Sequence, residues 1–206
     1  MAERDRYRAP DELNGFRSLA LGIGGIGTLV WAVGLYLSPE QALRSWLLGF
    51  ILWSGIGFGA IGLIMLQYLT GGAWGIVLRR TLEAASRTLP VIVMLFLPIA
   101  FGLTRLYAWT HFPADDPTSL HRGAFQTPLW WWIRSAIYFI IFGIIAYLLN
   151  KWSANQDASK DHEEAASWLG RATAFSGPTL VIYALVVTFA AVDWVMTLEP
   201  HWFSTI

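Results

Sequence analysis

Residues 129–149 read LWWWIRSAIYFIIFGIIAYLL, an apolar run interrupted by one charge, Arg134. A hydrocarbon layer about 30 Å thick is crossed by about 20 helical residues, and only a helix or a closed barrel satisfies its own backbone there. The run has that length and lacks the period-2 alternation of a barrel strand, so it reads as a membrane-spanning helix. Residues 18–37, 46–68, 89–109 and 175–196 pass the same test. The fold class that follows is all-α, a polytopic transmembrane helix bundle of about five spans.

Composition agrees. The 206 residues are 55% hydrophobic and 14% charged, with a mean hydropathy of +0.49, far more apolar than a domain that folds in water requires. Fourteen basic residues balance fourteen acidic ones, which leaves no net field to recruit nucleic acid. The absence of cysteine excludes disulfides, thiolate-held iron–sulfur clusters, covalently attached c-type haem and a cysteine nucleophile within this chain. The chain is thus expected to carry no redox centre of its own.

Basic residues accumulate in cytoplasmic loops, which orients the bundle. Arg4, Arg6, Arg8, Arg17, Arg79, Arg80, Arg87, Lys151, Lys160 and Arg171 fall on one side, against Arg44, Arg105, Arg122 and Arg134 on the other. The N-terminus is therefore expected to face the cytoplasm. Residues 1–17, which mix four arginines with four carboxylates and precede no small-residue cleavage site, read as a cytoplasmic segment rather than a signal peptide. Residues 18–206 read as the bundle, with a cytoplasmic loop over 150–174. Residues 71–88 alternate Trp74, Ile76, Val77 and Leu82 with Arg79, Arg80, Glu83 and Arg87, as an interfacial amphipathic helix does. Trp130, Trp131, Trp132, Tyr107 and Trp109 are expected to form an aromatic belt at the outer headgroups. Pro90, Pro98 and Pro178 are expected to kink spans three and five.

Two stretches match G-x-G-x-x-G: Gly22, Gly24 and Gly27, then Gly57, Gly59 and Gly62. A dinucleotide fingerprint needs a strand before and a helix after the glycines, whereas these lie inside spans. Close helix packing, with Gly55 and Gly59 as G-x-x-x-G, accounts for them instead. None of the four histidines, His111, His121, His162 and His201, lies within a span to ligate haem. The run Asp161-His162-Glu163-Glu164 reads as a solvated loop rather than a metal site, since adjacent residues on a helix point different ways.

Five ionisable groups in or near the spans remain. Asp193 lies about 27 Å along the fifth span from Phe175, where an acid is a functional candidate by default. With Thr197 four residues on, and Glu199 and His201 at the outer mouth around the helix-ending Pro200, it forms a candidate proton relay. A bland surface cluster at an aromatic interface is the other reading. Arg134 and Arg105 are explained by snorkelling to the outer headgroups; a quinone headgroup or a carboxylate partner is the functional alternative.

Several stretches resemble the F-type membrane component of alternative complex III, the bacterial quinol:electron-acceptor oxidoreductase that substitutes for the cytochrome bc1 complex. The resemblance is carried by Leu69-Thr70-Gly71-Gly72-Ala73-Trp74-Gly75, by Arg79-Arg80 with Glu83-Ala84-Ala85, by Arg87-Thr88-Leu89-Pro90, and by Val192-Asp193-Trp194-Val195-Met196 through Leu198-Glu199-Pro200-His201-Trp202. It runs through most of the chain. That family's protein has about ten spans, so the resemblance implies that this sequence, which stops at Trp202-Phe203-Ser204-Thr205-Ile206 without a polar tail, corresponds to its N-terminal half. It further implies a non-catalytic, multi-pass subunit of the bacterial cytoplasmic (inner) membrane, partnered by other membrane and peripheral subunits. Haem c and iron–sulfur clusters are expected in those partners, with quinone contact or proton translocation as candidate roles for this chain. A free-standing transporter or channel, and a purely structural assembly subunit, are the rival expectations.

Overall fold

The computed structural model describes residues 12–112 and 126–199, all of them helix or short connection, with no strand among the described residues. In order these are α1 (Glu12–Leu37), α2 (Pro39–Thr70), α3 (Ala73–Ser86), α4 (Leu89–Phe101), α5 (Leu103–Leu106), a 3-10 turn (Ala108–His111), α6 (Pro128–Ala158), α7 (His162–Trp194) and a second 3-10 turn (Met196–Leu198). Among the described residues four helices are long and apolar enough to cross a membrane; the pair Val77–Ser86 and Leu89–Phe101, bent by 41°, gives a fifth if it counts as one span. The protein is a multi-pass membrane protein.

The chain divides into two compact units, one ending at Trp46 and the other beginning at Leu47. In the first, Trp31 Nε1 donates to the Ala42 carbonyl at 2.9 Å and the Trp31 and Trp46 rings lie 4.3 Å apart. These contacts hold α1 against the first turns of α2.

In the second unit α6 and α7 form the broadest helix pair. Residues 150–174, expected as a loop, are helical but for Ser159–Asp161. At 1.5 Å per residue, α6 and α7 are each about 45–50 Å long and outrun the hydrocarbon layer, so the polar stretch continues both helices instead of unwinding. Asp161 makes the turn: its side chain accepts from the Glu164 backbone N–H at 2.7 Å, an N-cap with Glu163 and Glu164 favourably placed in the first turn. The acidic run is thus a helix start, not a solvated loop.

Span three also departs from expectation. Pro90 sits in the first turn of α4, where its missing N–H breaks no bond, and its ring bars helix through the carbonyl four residues back, at Ser86, where α3 ends. The helix expected over 89–109 stops at Phe101. Pro98 lies within α4, and Gly102, a weak helix former, closes it by donating to the Pro98 carbonyl at 2.9 Å. Tyr107 is then extended.

Glycines set the close approaches. A Cβ on Gly57 would lie 2.4 Å from Ile92 Cδ1, and one on Gly62 would lie 3.0 Å from the Tyr183 ring, whereas Gly22, Gly24, Gly27, Gly55 and Gly59 meet nothing within 4 Å. Both G-x-G-x-x-G stretches are helical throughout, without the strand a nucleotide site needs. At the α2–α3 turn Gly71 (φ 66°) and Gly72 (φ 92°) adopt left-handed backbone, and Gly72, with ψ 161°, occupies a region essentially reserved for glycine. We predict that Gly72→Ala destabilises the protein by about 1–3 kcal/mol, while Gly59→Ala, in open helix, is neutral or stabilising by up to about 1 kcal/mol. Denaturant unfolding in mild detergent, followed by circular dichroism, distinguishes the two.

Candidate functional site

α6 and α7 run antiparallel, so the start of α6 faces the end of α7. There Asp193, only 1% exposed, meets Arg134. Arg134 Nε donates to Asp193 Oδ2 and Nη2 to Oδ1, both at 2.8 Å, the two-pronged geometry in which guanidinium and carboxylate fit best. Tyr138, one turn further along α6, donates its hydroxyl to Oδ2 at 2.7 Å. Both carboxylate oxygens are therefore engaged. Arg134, whose side chain is 14% exposed, does not snorkel; a cation two turns into an apolar run is better satisfied by a buried carboxylate than by a distant headgroup.

The end of α7 is buried too, so its last carbonyls need donors from elsewhere. The Asp193 carbonyl accepts from Trp131 Nε1 at 3.0 Å and Thr197 Oγ1 at 2.7 Å. The Trp194 carbonyl accepts from the Tyr107 hydroxyl at 2.8 Å, and Trp194 Nε1 donates to Ser135 Oγ at 3.0 Å. The belt expected from the aromatic residues is thus only partly a belt. Trp130 and Trp132 are exposed, but Trp131, Tyr107 and Trp109 are buried. Phe96 stacks on Trp131 at 5.4 Å and Phe139 on Trp194 at 5.3 Å; Trp131 and Tyr107 turn inward to cap the helix end, whereas the buried Trp109 Nε1 meets no acceptor among the described residues.

Of the residues expected to form the relay, the structure joins Asp193 and Thr197, through the backbone carbonyl of Asp193 and not its carboxylate. Glu199 is exposed, and no hydrogen bond or ion pair joins it to Asp193 among the described residues. His201 lies outside the described residues, as do His121, Arg122 and Pro200. Arg105 is exposed at the end of α5 and takes no part in this cluster.

A second polar cluster, which no sequence motif announces, occupies the other end of α6. Glu83 is 3% exposed. Its carboxylate accepts from Arg79 Nε and Arg80 Nη1, each at 2.9 Å, and from Ser153 Oγ. Arg79 also donates to Ser153 Oγ and Gln156 Oε1, both at 2.8 Å, and Arg80 pairs with Asp157. Arg134 and Ser153 are separated by about 28 Å along α6 at helical rise, so the two clusters stand one hydrocarbon thickness apart.

Between them lies an apolar groove of about 330 Å³, lined by Phe50, Ser54, Phe58, Tyr183, Trp194 and their neighbours, with Gly55 and Gly59 in its wall. No group of three or more metal-ligating side chains exists among the described residues. No protein-family model matches the chain, and no curated protein is significantly similar to it.

Removing one partner of a buried ion pair strands the other, at about 3–5 kcal/mol. Arg134→Ala and Asp193→Ala should each destabilise by that order, and the double variant by clearly less than the sum, with coupling above about 1 kcal/mol. Tyr138→Phe should lose about 1.5–3 kcal/mol, as for a hydrogen bond to a charge. Denaturant unfolding of the four variants in one detergent supplies the cycle; additive losses would separate the pair.

Proposed function

We propose that this chain is a non-catalytic membrane subunit of a quinol-oxidising electron-transfer complex of the alternative complex III type, in a bacterial cytoplasmic membrane with its N-terminus in the cytoplasm. The observation that carries the reading is where the resembling stretches fall. Arg79, Arg80 and Glu83 come from one of them and Asp193 and Trp194 from another, and these residues contribute to the two polar clusters, with Arg134, Tyr138, Ser153 and Gln156 as their partners. The resembling stretches thus include polar residues that are engaged in this fold, which supports the reading. In this reading Asp193 is an anchor: its carboxylate is held by Arg134 and Tyr138, and it fastens α7 to α6 while haem c and iron–sulfur clusters in partner subunits do the redox work. The aromatic groove beside Trp194 has the apolar character that a quinone or a partner helix requires.

A proton path through Asp193, Glu199 and His201 is a second reading, favoured by the burial of the acid near its helix end. A free-standing transporter is a third, favoured by the broken span α3–α4, since discontinuous helices line many transport sites.

A mild-detergent pull-down of the N-terminally tagged chain from its native host, with haem absorbance and mass spectrometry, tests the proposal. Haem-bearing and iron–sulfur subunits should co-purify in fixed ratio, and a colourless, partner-free protein would overturn it. Within the intact complex Asp193→Asn should lower the yield of assembled complex and leave the proton-to-electron ratio of the surviving fraction unchanged. An altered ratio at full assembly would favour the relay.

A further inference from the structure

We infer that the junction of α3, α4 and α6 is a binding site for an anionic phospholipid. A cavity of about 430 Å³ opens there, between Ser86, Arg87 and Pro90 on one side and Gly143, Asn150 and Lys151 on the other. Its two cations stand at one level of the membrane. Arg87 lies two residues before the apolar α4, and Lys151 follows Leu149 and Asn150, where the apolar run of α6 ends.

Neither cation has a carboxylate partner among the described residues. The nearby acids are taken: Glu83 pairs with Arg79 and Arg80, and Asp157 with Arg80. Arg87 donates its Nε to Asn150 Oδ1 at 2.7 Å. Asn150 is itself fixed by donating to Ser86 Oγ and the Ala146 carbonyl, both at 2.8 Å. That chain aims the guanidinium, and among the described residues no side chain takes its two terminal nitrogens, which leaves them for an outside acceptor. The Lys151 ammonium lies 5.7 Å from the Tyr147 ring centre, and no carboxylate neutralises it among the described residues.

A phosphodiester satisfies both cations, since guanidinium and ammonium are the usual phosphate donors. The cavity's apolar part says which phosphate. Ile140, Ile144, Tyr147 and Lys151 recur at the three- and four-residue spacing of one helix face and all are exposed, so an acyl chain attached below the phosphate finds a continuous track along α6. Leu89 and Pro90 wall it on the α4 side, and Gly143 leaves the floor open. A bilayer phospholipid supplies the phosphate and the chain together.

Native mass spectrometry of this chain released from mixed phosphatidylglycerol and phosphatidylcholine micelles tests this. One phosphatidylglycerol should be retained in preference to phosphatidylcholine. The Arg87→Gln/Lys151→Gln variant should lose that retention by about thirtyfold, the effect of two basic residues at a membrane surface. Gly143→Leu, which keeps both charges, should lower it by filling the floor, and Lys160→Gln, an exposed cation away from the cavity, should change nothing. Equal retention of the two lipids, or a double substitution no more harmful than Lys160→Gln, would overturn the proposal. So would displacement of phosphatidylglycerol by inorganic phosphate at comparable concentration, which would make this a bare anion site.

Discussion

The ion pair between Arg134 and Asp193 is the constraint on which the arrangement of α6 and α7 rests. In a hydrocarbon layer neither charge can be traded for water, so each must be met by the other in one geometry. Two hydrogen bonds from the guanidinium and one from Tyr138 set the rotation of both helices and their stagger. The placement also suits the helix dipoles. Arg134 stands at the negative end of α7, and Asp193 faces the positive end of α6. Asp193 alone at the end of α7 would be unfavourable twice over, through burial and through the dipole, and Arg134 offsets both.

The Glu83 cluster applies the same logic at the other boundary. It joins α3 to the extension of α6 through Arg79, Arg80, Ser153 and Gln156, and Asn150 extends it to Ser86 and Arg87. Between the two clusters the packing is apolar and aromatic. Gly57 and Gly62 bring α2 close to Ile92 and Tyr183, and Tyr183 donates to the Phe58 carbonyl at 2.8 Å. Lipid gives apolar side chains little reason to prefer one another, so specificity must come from close packing and from hydrogen bonds at the ends. The outcome is a framework with fixed boundaries and apolar faces, such as Met94 on α4 and Leu185 on α7, turned outward.

The spans are legible in the sequence because length and hydropathy are local properties. Residues 18–37, 46–68 and 129–149 lie within helices, and the stretch 175–196 is helical as far as Trp194; hydropathy misses the polar extensions, since residues such as 150–158 stay helical when paired with a neighbour. Span three resists a local reading. Pro98 and Gly102 are visible in the sequence, yet whether they bend or end a helix depends on what awaits Tyr107, and that is the Trp194 carbonyl 87 residues on. The partner of Arg134 is hidden for the same reason. Arginine near a span end snorkels unless a carboxylate from another helix stands opposite, and no local pattern reports it. Glu83 has the sequence setting of a solvated face, whereas Ser153, seventy positions away, makes it buried. Trp131 and Tyr107 carry the composition of a belt, but a donor that finds a helix C-terminus goes inward.

The most direct test of this account is a solid-state NMR measurement in lipid bilayers of the contact between ¹⁵N-labelled Arg134 side-chain nitrogens and the ¹³C-labelled Asp193 carboxyl carbon. Two hydrogen bonds of 2.8 Å predict a strong dipolar contact at a separation under about 4 Å, lost in Arg134→Lys. A carboxyl carbon with no arginine nitrogen in that range would contradict the pairing and with it the anchoring role given to Asp193.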